Sequence, residues 1–398
     1  MNRSKRISET GSGAVVNRRG ASRWRDLGHP WIYRSDVVDP PAVAAGAVHV
    51  YEENGRPLGT ALWSPTSQIS LRFLSDELFD PDPAFWADRI RAALHYRERL
   101  APYADAYRLV HAEADRLPSL IVDRYADHLV VQFLSAGIEA YRAPIVAALV
   151  EAMRPAGILA RNDVPVRRLE SLDEQVELLH GNVPEELEVR EGPVRYIAAP
   201  WTGQKTGAFL DQRENRARAG ELVRGRALDC FSYHASFALH LAGRADHVIA
   251  VDSSADALAR ASRNAALNPD RADRIEFVEA NAFDFLRAQD DSGERYDTIV
   301  LDPPAFAKRK DALESALRGY KELNLRALRI LESGGILCTF SCSYHLRAPL
   351  FREMLESAAA DAGRPVRWLE WRGQALDHPE VLQIPESAYL KGAILQVD

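Results

Sequence analysis

From about residue 193 to its end, the chain alternates short apolar runs with stretches of helical periodicity, and this alternation restricts the fold more than any other feature. The runs are Arg226–Phe231, His247–Asp252, Ile275–Val278, Asp297–Leu301, Ile336–Cys342, Val366–Trp371 and Leu390–Val397. Near-continuous apolar runs of this length are expected of parallel strands covered on both faces. With helical segments between most of them, right-handed crossovers predict an α/β doubly wound sheet with its switch point beside the first strand. Ligands then bind outside the carboxyl ends of the strands. Two of those ends carry reactive residues, Asp302-Pro303-Pro304-Ala305-Phe306 and Ser341-Cys342-Ser343.

The turn after the first run indicates which cofactor such a sheet can hold. It reads Leu228-Asp229-Cys230-Phe231-Ser232-Tyr233-His234-Ala235-Ser236, without glycine. Dinucleotide binders need glycines there so that the backbone can approach a pyrophosphate at a helix N-terminus. S-adenosylmethionine has no phosphate and tolerates a bulkier turn. Asp252 ends the second run, where a carboxylate can accept both ribose hydroxyls. Asn281 follows the third run and suits the adenine amino edge; capping of the next helix is the alternative for both residues. Upstream, Gln204–Arg216 concentrates polar residues around Gly207 and Phe209. Arg213 is the candidate there for a two-pronged pair with the cofactor's carboxylate, against a solvated helix start.

The rest of the chain reads as two smaller parts. Residues 1–13 end in Gly11-Ser12-Gly13 and read as a flexible tail. Residues 14–78 break into short β-like pieces such as Val48–Tyr51 and Ile69–Leu74, which predicts a small β-barrel. Residues 79–192 read as an α+β domain with strands at Tyr107–Ala112, Ser119–Asp123 and Leu129–Leu134 and a helix through Ile145–Met153, and residues 193–398 as the doubly wound domain. The formal charge of −7 argues against a protein wrapped in nucleic acid, but its distribution differs along the chain. Residues 1–35 carry eight basic side chains against Glu9 and Asp26, a local net of +6, so the remainder carries about −13. From Val15 onward, Arg18, Arg19 and Arg23 with Trp24, Trp31 and Tyr33 interleaved suit RNA phosphates and bases. Of 50 basic residues only six are lysines, and Lys205, Lys308 and Lys310 adjoin the motifs above. The sequence has no long apolar span and no apolar segment after Met1–Arg6, which leads to an expectation of a cytoplasmic chain without a membrane segment. Three cysteines without Cys-x-x-Cys or zinc-ligand spacing suggest reduced thiols and no metal.

Taken together, these segments resemble the bacterial 23S ribosomal RNA cytosine-5 methyltransferases with an N-terminal PUA domain. The matching segments are Gly28-His29-Pro30-Trp31, Leu117–Tyr125, Lys205-Thr206-Gly207 with Leu210–Arg213, Phe231-Ser232-Tyr233, Asp302–Phe306, Ser341-Cys342-Ser343, and Asp377-His378-Pro379 with Tyr389–Gly392. The resemblance implies a PUA RNA-binding barrel, a central α+β domain and a class I S-adenosylmethionine fold whose last strand runs antiparallel. It assigns Lys205, Thr206, Asp211, Gln212, Arg213, Phe231, Ser232, Tyr233, Asp252, Asn281 and Asp302 to the cofactor. Pro303, Phe306 and Lys308, with Arg18, Arg19 and Arg23, fall to the substrate. Two departures stand out: His234-Ala235-Ser236 where the family has small residues, often glycine, and Asn281 where it has Asp. The implied partner is 23S ribosomal RNA, free or in an assembling large subunit; whether the chain forms a homodimer stays open.

Cytosine C5 is a poor nucleophile until a nucleophile adds at C6, which a thiolate does well. Cys342 is the candidate. Cys338 and Cys342 are four residues apart, about 13 Å along a strand, so they can neither form a disulfide nor chelate one metal, and mid-strand Cys338 suits core burial. A thiol of pKa about 8.5 needs a cationic neighbour or a helix N-terminus, with Lys308 one candidate. Asp302 suits the cytosine amino group or, if protonated, N3, and it or a water could remove the C5 proton. Phe306 suits stacking on the base or a core contact. Three rival readings remain: a methyltransferase of another position such as guanine N7, which needs no thiol; an RNA-binding assembly factor that no longer binds cofactor; and, weakest, a dehydrogenase.

Overall fold

Apolar side chains alternate between the two faces of a seven-stranded sheet, and this alternation builds the larger half of the fold. The computed structural model describes residues 13–100, 102–307 and 309–398. The expected tail therefore lies outside the described residues except for Gly13, which begins a strand. The chain forms two units, one of residues up to Leu187 with Ala198–Phe209 and Asp377–Ser387, the other of Glu188–Ile197, Leu210–Leu376 and Ala388–Asp398.

In the first unit, residues 13–75 form a six-stranded sheet in the order Trp31–Tyr33, Ile69–Ser75, Pro57–Trp63, Gly46–Glu52, Gly13–Val16, Val37–Asp39. Gly13–Val16 runs parallel to Gly46–Glu52, and the other pairs are antiparallel. A second sheet orders Val176–Gly181, Gly157–Arg161, His128–Phe133, Leu120–Tyr125 and Ala106–His111. The helices Pro83–Arg97 and Arg142–Met153 pack on its core through Trp86, Ile90, Ile145 and Leu149.

The second unit holds the strands β1 (Arg226–Cys230), β2 (His247–Asp252), β3 (Ile275–Glu279), β4 (Tyr296–Leu301), β5 (Leu331–Ser341), β6 (Val366–Arg372) and β7 (Lys391–Val397), in sheet order β3-β2-β1-β4-β5-β7-β6. The first five are parallel, and β7 runs antiparallel to both β5 and β6. The order reverses beside β1, which makes the ends of β1 and β4 the switch point. Along the strands, Leu228, Cys230, Ile299, Leu301 and Leu337 point into one core with α4 (Ala282–Ser292), α5 (Leu313–Ile330) and α6 (Ala348–Ala362). The alternate residues Ala227, Val300, Ile336 and Cys338 point into another with α1 (Arg213–Leu222), α2 (Ser236–Leu241) and α3 (Ala255–Ala266). Each fully buried Leu or Ile contributes about 1.5–3 kcal/mol, which keeps the strand ends rigid.

Glycine has one necessary place near the site. A Cβ on Gly392 would lie 2.4 Å from the Phe340 ring, so only glycine lets β7 close against β5. That pairing sets Lys391 opposite Ser341, at the carboxyl end of β5.

Candidate active site

The turn after β1 is the most constrained backbone in the second unit. Phe231, Tyr233 and Ala235 all have positive φ, at 65°, 52° and 66°. Each such non-glycine residue costs about 1–2 kcal/mol. The glycine-free turn thus adopts the left-handed geometry that glycine would give more easily, and its surroundings hold it there. Asp252, at the end of β2, accepts the Tyr233 N–H at 2.8 Å and the Ser254 N–H at 2.9 Å. The Ser232 N–H donates to Val251 O at 3.0 Å. The bulk of His234 is absorbed by stacking on Tyr196, and burial drives its imidazole down to about 3, so the ring is neutral.

Three carboxyls converge on this end of the sheet. Asp229 is fully buried and accepts the Ala238 N–H at 3.0 Å. Burial, with the nearby charges of Asp302 and Asp252, pushes its carboxyl well above the ordinary carboxylate range. Asp229 Oδ1 and Ser232 Oγ are buried without a hydrogen-bond partner among the described residues. Both atoms lie at the carboxyl end of β1, where an open α/β sheet binds its ligand, and each is a polar group that a ligand could satisfy. Asp229, Ser232 and Asp252 are therefore candidates to hold S-adenosylmethionine.

Asn281 caps α4, its Oδ1 accepting the N–H groups of Phe283 at 2.9 Å and Asp284 at 3.4 Å. Its carbonyl oxygen is thereby committed to the helix, and Nδ2 is the group it can offer an adenine ring, a donor in place of the expected acceptor. Phe231, Phe283 and Phe306 form an aromatic cluster, and Phe306 also packs on Tyr320 with centroids 4.7 Å apart.

The polar segment before β1 divides between the units. Asp211, Gln212 and Arg213 lie in the second unit and are buried. Asp211 accepts the Tyr389 hydroxyl at 2.8 Å, Gln212 Nε2 donates to Asp302 Oδ1 at 2.8 Å, and Arg213 pairs with Glu214 at 2.8 Å. Arg216, one turn on, forms a fully buried two-pronged pair with Glu191, which also meets His240. Lys205 and Thr206 belong to the first unit. Thr206 Oγ1 lies 2.6 Å from Asp123 and 3.0 Å from the Tyr125 hydroxyl, and Tyr125 accepts the Ala208 N–H. Lys205 is exposed, with Nζ over the Phe209 ring at 4.6 Å.

Asp302 and Cys342 follow the neighbouring parallel strands β4 and β5 and so share one rim. The Ala307 N–H donates to Ser343 Oγ at 3.1 Å, and the Tyr320 hydroxyl meets the same oxygen at 2.9 Å, which ties the Asp302–Ala307 loop to the Cys342 end. Pro303 is buried and Pro304 exposed. Of the three cysteines, Cys230 and Cys338 are fully buried and Cys342 is partly exposed. Burial pushes the Cys338 thiol up to about 12 and that of Cys230 well above its ordinary value.

Lys308 lies outside the described residues. Among the described residues, the fold brings Lys391 to this rim, buried, with Nζ donating to Ser343 O at 2.7 Å and Tyr389 O at 2.8 Å. Burial lowers its ammonium to about 8, and the proximity of Cys342 opposes that shift. Its scarcity as a lysine was a signal in the sequence, but its pairing across β7 was not.

The basic N-terminal side chains are largely engaged by protein. Arg19 Nε and Arg23 Nη1 donate to the buried Asp36 at 2.6 and 3.1 Å, and Arg23 lies over the Tyr33 ring. Trp24 stacks flat on Phe73, which covers one face of its ring, and Trp31 donates its indole N–H to Glu113. The burial of Asp36, which calls for two cations, accounts for this arrangement. Arg18 is exposed.

The sheet order β3-β2-β1-β4-β5-β7-β6, with β7 antiparallel, is that of a class I S-adenosylmethionine-dependent methyltransferase. In agreement, residues 140–392 match a family model described as S-adenosylmethionine-dependent methyltransferase, and residues 15–76 match a PUA-like domain. The chain is 41% identical to a ribosomal RNA large subunit methyltransferase I from Shewanella amazonensis, over 95% of this chain and 98% of that one. It is 42% identical to the protein of the same name from Tolumonas auensis, over 92% and 95%. A solved structure described as a SAM-dependent methyltransferase from Streptococcus mutans shares the fold, with TM-score 0.82 and 22% identity over 97% of this chain and 100% of that one. So does a methyltransferase complexed with SAH, at TM-score 0.84 and 22% identity over the same shares. The chain belongs to the ribosomal RNA large subunit methyltransferase I family.

Proposed function

We propose that this enzyme methylates C5 of a cytosine in 23S ribosomal RNA through a transient bond between Cys342 Sγ and C6 of the base. The thiolate adds to C6, and the electron pair displaced toward C5 makes that carbon nucleophilic. S-adenosylmethionine supplies an electrophilic methyl group on its sulfonium. With the methyl on C5, a base takes the C5 proton, the C5–C6 double bond re-forms and Sγ leaves as thiolate. Asp302 holds the cytosine amino group, and it or a water accepts the proton. Lys391 stabilises the thiolate before attack and again on departure.

The single observation that carries this reading is the partly exposed Cys342 on the rim shared with Asp302, with the buried Lys391 bonded to the next residue's carbonyl. Mid-strand cysteines are a packing feature, whereas a cysteine at a strand end beside a cation is suited to nucleophilic work. Asp252 serves the ribose, Asn281 Nδ2 the adenine edge and Arg213 the cofactor's carboxylate end. Asp211 and Gln212 brace that site. The turn residues Phe231, Ser232 and Tyr233 wall it. The relatives' names supply the substrate class, and the PUA-like domain, with Arg18 exposed on it, supplies an RNA contact. A base inside a helix is out of reach of such a thiol, so the target is an unstacked or flipped cytosine.

Cys342→Ala tests the reading. It is expected to abolish methyl transfer to unmodified 23S RNA while calorimetric binding of S-adenosylmethionine persists. Turnover near that of the native enzyme would eliminate the covalent route.

A further inference from the structure

Between β6 and the Asp302 rim runs a line of hydrogen bonds whose direction is fixed at both ends. Arg372, the last residue of β6, donates Nε to Asn215 Oδ1 at 2.9 Å. A guanidinium can only donate, so the Asn215 oxygen must face it and Nδ2 must face away. That nitrogen donates to Gln212 Oε1 at 2.6 Å and to Gly373 O at 2.9 Å. With its oxygen so engaged, Gln212 turns Nε2 to Asp302 Oδ1, at 2.8 Å. Arg372 is itself braced by Glu370 Oε2 and Glu214 O, each at 3.3 Å. Gln212 and Asn215 are 3% and 2% exposed, so water does not compete for these bonds. Side-chain amides are ordinarily ambiguous in orientation, but here a cation at one end and a carboxylate at the other leave one arrangement.

We propose that Arg372, Asn215 and Gln212 form a one-way relay that keeps Asp302 an obligate acceptor, so that the site selects a base presenting an exocyclic amino group. The inference rests on the reading that Asp302 meets the target base. A donor delivered to Oδ1 favours the ionised carboxylate, which pairs with the amino group of cytosine and is repelled by the O4 of uracil. It disfavours the protonated acid needed to donate to N3. Arg372, Asn215 and Gln212 are positioning residues, since they act through Asp302.

Asn215→Asp is the sharpest perturbation, because it is nearly isosteric and lies one residue removed from Asp302. An aspartate there still accepts from Arg372 but cannot donate to Gln212. Gln212 must then rotate to donate toward position 215, and its oxygen faces Asp302. Gln212→Glu sets a carboxylate directly against Asp302. The titratable groups at the neighbouring strand ends are Asp229 after β1, Asp252 after β2, Cys342 after β5 and Lys391 on β7. Neither substitution removes any of these.

The experiment measures pH profiles of kcat/KM for RNA in single-turnover methylation with the full chain, for both variants and Asp302→Asn, and calorimetric S-adenosylmethionine binding. Both relay variants are expected to move the acid limb upward by about one pH unit, as a like-charged or lone-pair neighbour does. Activity lost at low pH should return at high pH, with the cofactor affinity of Asn215→Asp within about twofold of native and Asp302→Asn inactive throughout. Native profiles for both Asn215→Asp and Gln212→Glu, with Asp302→Asn inactive, would overturn the relay. Asp302→Asn with native activity would instead overturn the role of Asp302 on which the relay depends. A variant that fails to fold is recognised by its melting curve, and the other then decides.

Discussion

Replacing Lys391 by methionine removes the buried cation bonded to the carbonyl oxygen of Ser343, the residue after Cys342, while keeping the volume of the stem. Lys391 and Cys342 interact electrostatically, and since a neighbouring opposite charge shifts a pKa by about 1–3 units, the Cys342 thiol should rise by about that much when the charge is removed. Each unit lowers the thiolate fraction about tenfold at neutral pH, but a more basic thiolate is also the better nucleophile, with a Brønsted slope of about 0.4–0.5. The net loss in the rate of addition is therefore roughly 3- to 60-fold. The pH dependence has a definite sign. The Lys391 ammonium is complete below about 8 and lost above it, so the native advantage is largest at neutral pH and shrinks as pH rises past about 8. Because thiol and amine influence each other, the two apparent values belong to the pair. The variant also leaves Ser343 O and Tyr389 O without their Nζ donor, a loss of about 1–3 kcal/mol in stability that thermal unfolding measures separately. The assay is alkylation of Cys342 across pH, followed by peptide mass spectrometry to separate it from the buried Cys230 and Cys338. Identical alkylation profiles for the native enzyme and Lys391→Met would refute the coupling.

Two further substitutions probe the cofactor recess and its support. Asp252→Ala removes the acceptor of the Tyr233 and Ser254 N–H groups, loosening the strained turn. Calorimetry should show S-adenosylmethionine binding weakened about 10- to 100-fold, from charge-assisted bonds of about 1.5–3 kcal/mol; unchanged affinity would remove Asp252 from the site. Glu191→Ala strips the buried Arg216 of its two-pronged partner and should cost about 3–5 kcal/mol in chemical unfolding. Burial raises the Glu191 carboxyl, but Arg216 and His240 outweigh it and hold it far below the ordinary range. The stability this pair gives is therefore complete above the unfolded carboxylate value of about 4.3 and declines as pH falls toward the folded value, and the variant should lose that acid dependence.

The doubly wound sheet was legible in the sequence because its strands are buried on both faces and read as local apolar runs. Even the ends were close: β5 stops at Ser341, one residue before the expected Cys342, and β1 stops at Cys230, leaving Phe231 in the turn. Its place in mid-strand, away from the strand end that Cys342 occupies, marks Cys338 as a core residue, and it is fully buried while Cys342 is partly exposed. Less visible was whatever depends on distant partners. Arg19 and Arg23 read as phosphate contacts, and nothing local reveals that both are also bonded to the buried Asp36. Thr206 read as a cofactor residue, and the Asp123 to which it is bonded stands on a strand far upstream. Lys391 escaped notice as a partner of Cys342 because an antiparallel final strand folds back to meet β5. Gln212 was placed at the cofactor, while its bond to Asp302 depends on an amide orientation set by Arg372.

Incubating the enzyme with S-adenosylmethionine and 23S RNA in which 5-fluorocytidine replaces cytidine tests the central claim most directly. Fluorine at C5 cannot leave as a proton does, so the covalent complex should accumulate and yield a Cys342 peptide cross-linked to one methylated fluorocytidine. Turnover of ordinary RNA to 7-methylguanosine, with no protein–RNA adduct on the fluorinated substrate, would contradict it.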